Sequence, residues 1–203
     1  MLSAMLSGVL SYNAAPLARP VVKAPSAVQM MAKSESLPFM EEPAHLAGMV
    51  GNVGFDPLSL STPQNIKWMR EAELKHGRMC MLAWTGYVAV DLGLKLPGAK
   101  YAALTSYTAH QGTADYELFF LLLLVGTAET IGFKQIYDMM DGADRDAGDF
   151  GFDPLMLLKG NEVQYKEAEL VHGRAAMLAF SAVVTQGAMN DAFGVGSQTF
   201  PYF

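Results

Sequence analysis

Three stretches of the chain carry long apolar runs, and segments rich in Gly, Pro and Asp separate them. The first run is Met79-Cys-Met-Leu-Ala-Trp-Thr-Gly-Tyr-Val-Ala-Val90 and the third is Ala175-Ala-Met-Leu-Ala-Phe-Ser-Ala-Val-Val-Thr185; neither contains Pro, and each continues from a charged segment. The second passes from Tyr116 through Leu118-Phe-Phe-Leu-Leu-Leu-Leu-Val125 to Ile136. Runs of this length without Pro predict helices, at about 64–94, 115–137 and 162–188. The segments from Pro97 to Thr113 and from Asp138 to Asn161 are predicted loops.

The pattern is doubled. Glu71-Ala-Glu-Leu-Lys-His-Gly-Arg78 recurs as Glu167-Ala-Glu-Leu-Val-His-Gly-Arg174, which places His172 96 residues after His76. The preceding loop, Val53-Gly-Phe-Asp-Pro-Leu58, recurs as Phe150-Gly-Phe-Asp-Pro-Leu155 at an offset of 97. Loop and helix repeat as a unit with one residue of slippage, so the chain reads as two related halves around the middle helix.

Hydropathy alone leaves the surroundings of these helices open. The uncharged runs after Arg78 and Arg174 are about a dozen residues, short of the ~20 expected of a spanning helix. Reaching that length brings the Glu, His and Arg of the motif into hydrocarbon, which is costly unless they pair or bind something. On one helix Glu73 and His76 share a face, whereas Arg78 lies about 140° round from Glu73, so a helix is not expected to neutralise its own carboxylate. Two copies packed across a pseudo-twofold axis would do so in trans, Glu73 with Arg174 and Glu169 with Arg78. Gly77 and Gly173 would let the backbones approach at the crossing. The expected fold is an all-α membrane protein of three transmembrane helices, the first and third crossed and related by pseudo-twofold symmetry. A carboxylate cancelled by Arg keeps an oxygen lone pair, and a neutral imidazole offers a ring nitrogen.

The cations are unevenly spread in a way that fits three crossings. Lys33, Lys67, Arg70, Lys75, Lys134, Arg145, Lys159 and Lys166 fall on one side, against Lys95 and Lys100 on the other. That bias obeys the positive-inside rule, and Trp68, Tyr101, Tyr107, Tyr116 and Tyr165 stand near predicted helix ends, where aromatic belts lie.

With 203 residues, 51% of them apolar, the chain suits one domain. A net charge of −6 without a basic cluster excludes a nucleic-acid partner. Cys80 lies in an apolar helical stretch and is expected to pack as a small apolar residue. The first thirty residues lack Asp and Glu, are rich in Ala, Ser and Pro, and carry only Arg19 and Lys23. Residues 1–30 therefore read as a targeting segment, a signal-type core or the start of a plastid transit peptide, expected to be removed near Met30 or Met31 and to leave 31–203 as the working domain.

On these motifs, from about Leu37 to Phe203, the chain resembles the light-harvesting chlorophyll-binding superfamily. The short loops and the terminal Phe200-Pro-Tyr-Phe203 are most similar to the red-lineage chlorophyll a/c antennae of the fucoxanthin or peridinin type. The resemblance implies that Glu73, His76, Glu169 and His172 ligate the magnesium of chlorophyll, with Arg78 and Arg174 as ion-pair partners. Gly126-Thr-Ala-Glu129 resembles the family's Gly-x-x-Glu, implying Glu129 as a further ligand. Gln186, seventeen residues after Glu169, matches the family's amide ligand. Leu121 stands where green-lineage members place a Gln ligand, and His172 where Asn is common. The implied cofactors are chlorophyll a, chlorophyll c and carotenoids such as fucoxanthin, peridinin or diadinoxanthin, the last capped by Phe55-Asp-Pro57 and Phe152-Asp-Pro154. The implied setting is the plastid thylakoid membrane, among its lipids, with a photosystem core and neighbouring antenna subunits as partners. The implied work is light harvesting rather than enzymatic catalysis, the alternative being a stress-related relative that mainly dissipates energy. A more distant rival is a di-iron carboxylate enzyme, since paired Glu-x-x-His helices mark such bundles. That site needs a Glu from each of two further helices, and only Glu129 is in view.

Overall fold

The structure, a computed structural model, describes residues 33–158 and 160–194. The expected targeting segment and the terminal Phe200-Pro-Tyr-Phe203 lie outside the described residues. After a 3-10 turn at Ala44–Leu46 come α1 (Ile66–Asp91), two short helices α2 (Ala99–Ala102) and α3 (Ala109–Gly112), α4 (Asp115–Met140) and α5 (Glu162–Ala192). α4 and α5 begin at their predicted first residues, the other limits of the long helices lie two to four residues from those predicted, and none contains Pro. The segment predicted as a plain loop from Pro97 to Thr113 differs by holding α2 and α3, single turns too short for periodicity to reveal.

Local chemistry sets the helix ends. At the start of α4 the Glu117 carboxylate accepts from the Ala114 amide at 3.2 Å, half of a capping box, and Asp115 adds negative charge to the first turn. Beyond α1 the chain turns through Gly93 at φ +92°, and beyond α4 through Gly142 at φ +108°.

Helices of 26, 26 and 31 residues reach about 39, 39 and 46 Å at 1.5 Å per residue, more than the ~30 Å of a hydrocarbon core. Among the described residues, composition marks α4 alone as long and apolar enough to cross a membrane. Its best window has a mean hydropathy of 1.5, and none of it is buried inside the chain. Phe119, Phe120, Leu121 to Leu124, Ile131 and Phe133 all lie open, and a helix apolar all round is at home in lipid or within a large core.

The main packing is α1 against α5. The two run in the same direction: Arg78 faces Glu169 and Arg174 faces Glu73, and further along both helices Tyr87 meets Phe180 edge to face, with centroids 6.4 Å apart. Leu74, Leu170, Ala176 and Val183 are buried along them. The segment before α1 and the α4–α5 loop fold over the entering ends of the pair, whereas the α1–α4 segment lies by their far ends, where Ser106 N donates to Asp91 Oδ1 and Tyr107 packs beside Gly187.

Candidate functional site: a crossed helix pair with outward donors

At the crossing the helix backbones nearly touch. A Cβ added at Gly77 would stand 3.0 Å from Gly173 Cα, and one added at Gly173 3.1 Å from Gly77 Cα. No residue larger than glycine fits without separating the helices, which is the use the sequence foresaw for this pair.

On either side of the crossing a carboxylate meets the arginine of the opposite helix. Arg78 Nε donates to Glu169 Oε1 at 2.6 Å, and Arg174 Nε donates to Glu73 Oε1 at 2.7 Å. Each arginine also reaches a loop carbonyl of its partner's side: Arg78 Nη2 to Gly148 O at 2.9 Å and Arg174 Nη1 to Gly51 O at 3.0 Å. One guanidinium thus ties together a helix crossing and the loop that leads into the opposite helix.

Gly51 and Gly148 stand at the repeat offset of 97, with φ of +65° and +82°. A Cβ at Gly148 would fall 2.3 Å from Leu74 Cδ1, so both backbone geometry and space call for glycine. The sequence held a signal for this pair, because the repeat extends two residues upstream as Gly51-Asn-Val-Gly54 and Gly148-Asp-Phe-Gly151. The loops match in detail. The Asn52 and Asp149 side chains accept from Gly54 N and Gly151 N at 2.8 Å each, and Ser59 and Met156 take φ of +51° and +52°. Asp56 and Asp153 then accept the amides four and five residues on. Phe55 and Phe152 are left 63% and 86% exposed beside the crossed helices.

The two motif histidines present equal geometry. His76 Nδ1 lies 2.7 Å from Ala72 O, and His172 Nδ1 lies 2.7 Å from Ala168 O. A carbonyl only accepts, so Nδ1 is the donor, which in a neutral ring puts the lone pair on Nε2, on a side chain that is exposed in both cases. This is the tautomer and orientation of an imidazole ready to donate to a metal from outside the helix pair.

A helix was expected not to neutralise its own Glu, yet Arg70, three residues before Glu73 on the same face, donates from Nη1 to Glu73 Oε2 at 2.8 Å and from Nη2 to Val50 O at 3.0 Å. Glu73 is therefore gripped through both oxygens. A second contact also escaped the sequence: Glu71, 1% exposed, accepts from Gly148 N at 2.6 Å and pairs with Arg145 at 3.3 Å, clasping the α4–α5 loop to α1. The Arg145 guanidinium lies 4.6 Å from the Phe150 ring centroid. Nothing in the repeat announces this clasp, because the counterpart of Glu71, Glu167, is exposed.

The other foreseen residues lie apart from the crossing. Glu129, exposed on α4, forms an ion pair with Lys75 of α1 through Oε2. Gln186 stands half-buried late in α5, and Leu121 is 58% exposed on α4. Of the expected belt aromatics, Trp68, Tyr116 and Tyr165 are open, whereas Tyr101 donates its hydroxyl to Glu117 Oε1 at 2.6 Å. Glu73 and Glu169 are thus each held by arginines instead of being gathered round a common cation, the opposite of what a dinuclear iron site needs.

Residues 42–188 and 140–201 match the family described as chlorophyll A-B binding protein. The chain belongs to that family. A fucoxanthin-chlorophyll a-c binding protein of Chattonella marina var. antiqua is 32% identical over 179 residues, 80% of this chain and 79% of the relative. Chlorophyll a-b binding protein 4 of Arabidopsis thaliana is 33% identical over 172 residues, covering 76% and 67%. Light-harvesting complex stress-related protein 3.2 of Chlamydomonas reinhardtii is 30% identical over 191 residues, covering 83% and 70%. All three relatives are chloroplastic.

Proposed function

We propose that this light-harvesting, chlorophyll-binding protein of the chloroplast thylakoid holds its chlorophylls on six side chains: Glu73, His76, Glu129, Glu169, His172 and Gln186. Each would supply the single axial donor that a ring-bound magnesium needs. The observation that carries the reading is the crossing itself, where charge-cancelled carboxylates and lone-pair-bearing imidazoles project from one glycine-welded helix pair. The group, when bound, supplies visible absorption. The protein's own part is to fix donors at set positions, to cancel charge that would otherwise be stranded in hydrocarbon, and to exclude water.

The reading includes three transmembrane helices, with α1 and α5 crossing as pseudo-twofold mates. It is supported by their length, by the duplicated loop conformations and by the open apolar surface of α4. It also includes a targeting segment at 1–30 and a working domain at 31–203. Carotenoids beside the crossed helices, against Phe55 and Phe152, would account for two aromatic side chains left open in otherwise tightly bonded loops. Similarity to a fucoxanthin-chlorophyll a-c binding protein favours chlorophyll a with chlorophyll c and fucoxanthin-type xanthophylls. Association with a photosystem core and other antenna subunits follows from the same function, and no enzymatic step is assigned. A stress-related relative of comparable similarity supports a second reading, in which the same scaffold mainly dissipates energy.

Reconstitution of the chain with purified pigments tests the ligand set. His76→Leu and His172→Leu are each expected to lose about one chlorophyll and retain the helical fold by circular dichroism; full pigment content in both variants would refute imidazole ligation. A fluorescence lifetime of the pigmented protein much shorter than that of a harvesting antenna would select the dissipating role.

A further inference from the structure

The two halves repeat in sequence, but the two crossing carboxylates do not have equal surroundings. Glu73 Oε1 accepts from Arg174 and Glu73 Oε2 from Arg70, so two guanidiniums face one carboxylate and both oxygens are engaged. Glu169 Oε1 accepts from Arg78, and among the described residues Oε2 accepts no hydrogen bond. The helix position matching Arg70 is Lys166, which turns away from Glu169 and pairs instead with Asp146 at 2.9 Å and Glu162 at 2.6 Å. The other arginine of that half, Arg145, is spent on Glu71. Charge is therefore balanced around Glu169 and in cationic excess around Glu73.

A donor lone pair is weakened when its carboxylate is hydrogen-bonded by cations, and charge-assisted bonds of this kind are the strong ones. We infer that Arg70 makes the two repeat-related carboxylates unequal: Glu169 is the stronger magnesium donor, Glu73 the weaker one, and the chlorophyll at Glu73 absorbs at a wavelength displaced by the extra positive charge beside it. Arg70 is a positioning residue, acting through Glu73 and tethering Val50 at the same time. The inference rests on the ligand reading proposed above and deepens it by assigning different properties to two sites that the repeat alone would make equal.

The test is pigment titration of the full-length protein in reconstitution with chlorophyll a. Charge-balanced double replacements, Glu73→Leu with Arg174→Leu and Glu169→Leu with Arg78→Leu, each remove one site, and their difference spectra give the absorption band of each. In the unaltered protein the Glu169 site is expected to half-fill at a chlorophyll concentration about two- to fivefold lower than the Glu73 site, the scale of one partly exposed ion pair. Arg70→Gln is expected to close that gap and shift the Glu73-site band, while Arg70→Lys keeps most of both differences and Lys166→Gln changes neither. A role confined to anchoring Val50 would instead lower thermal stability and fill both sites less, without displacing one band. Full pigment content in both double variants overturns the ligand reading and this inference with it. Loss of one pigment from each, with equal half-filling and bands unmoved by Arg70→Gln, overturns this inference alone. Should the double variants fail to assemble, the band shift of Arg70→Gln against Lys166→Gln decides: a shift in the first only supports the inference, and no shift in either refutes it.

Discussion

At the scale of single residues, the duplicated loops depend on one carboxylate each. Asp56 accepts from the amides of Leu60 and Ser61 at 3.0 Å and from the Ser61 hydroxyl at 2.5 Å. The hydroxyl bond leads in holding its carboxyl below the usual carboxylate range, against a smaller opposing effect of burial. A depressed folded-state pKa stabilises the loop above the unfolded value, about 3.9, and that contribution fades as pH falls through the folded one. Asp56→Ala should therefore lower the melting temperature at neutral pH, and the gap from the unaltered protein should shrink below about pH 4. Thermal melts of the two proteins across pH would show it; a gap that grows on acidification contradicts the assignment.

At the scale of the helix, the crossing of α1 and α5 depends on glycine by position rather than by composition. Gly77 has the facing backbone 3.0 Å from where a Cβ would be, whereas Gly86, two and a half turns on, has nothing within 4 Å. Gly77→Val should cost at least the ~1–3 kcal/mol of an overpacked core and reduce pigment assembly. Gly86→Ala should be neutral or stabilise by about 0.4–1 kcal/mol. Equal tolerance of the two changes in thermal melts would mean that the helices do not meet there. The ion pairs act at the same scale. Their side chains are about a third exposed, with 38% for Arg174 and 30% for Glu73, so a pair lies between the fully buried and fully open cases. Arg174→Leu leaves Glu73 to Arg70 alone and detaches the Gly51 loop, and should cut reconstitution yield severely. Adding Glu73→Gln should not recover it, since Arg70 already cancels the Glu73 charge and would itself lose its partner. A harmless Arg174→Leu would remove the pairs from the account of assembly.

At the scale of the whole molecule, the segment before α1 and the α4–α5 loop cover one end of the helix pair, and the α1–α4 segment lies by the other. With three crossings as proposed, the Lys and Arg bias predicts the first two on the stromal side and the third in the lumen. Protease added to intact thylakoids should cut between Asp138 and Asn161 and spare Pro97 to Thr113. Protection in the reverse order would invert the topology. The α4–α5 loop is clasped by Glu71 and Arg145, so cleavage is expected in its open part, around Phe152 to Leu155, rather than at Gly148.

The sequence by itself determined whatever was local or repeated. Uninterrupted apolar runs set the three long helices, and the doubled motif pointed to the cross-helix pairs of Glu73 with Arg174 and Glu169 with Arg78, because a helix turns Arg78 away from Glu73. The same duplication pointed to matching loops, and the structure shows them alike down to the positive φ of Ser59 and Met156. Tertiary structure alone decided what differs between the halves. Arg70 and Lys166 occupy matching positions, yet Arg70 reaches Glu73 and Val50, while Lys166 is drawn off by Asp146 and Glu162. Glu71 and Glu167 also match, yet Glu71 is buried under a loop that carries Arg145, and Glu167 is exposed. The physical reason is that long, flexible charged side chains choose among partners by what lies within a few ångströms, and that distance is set by loops folding back from far along the chain, which no periodicity in the sequence encodes.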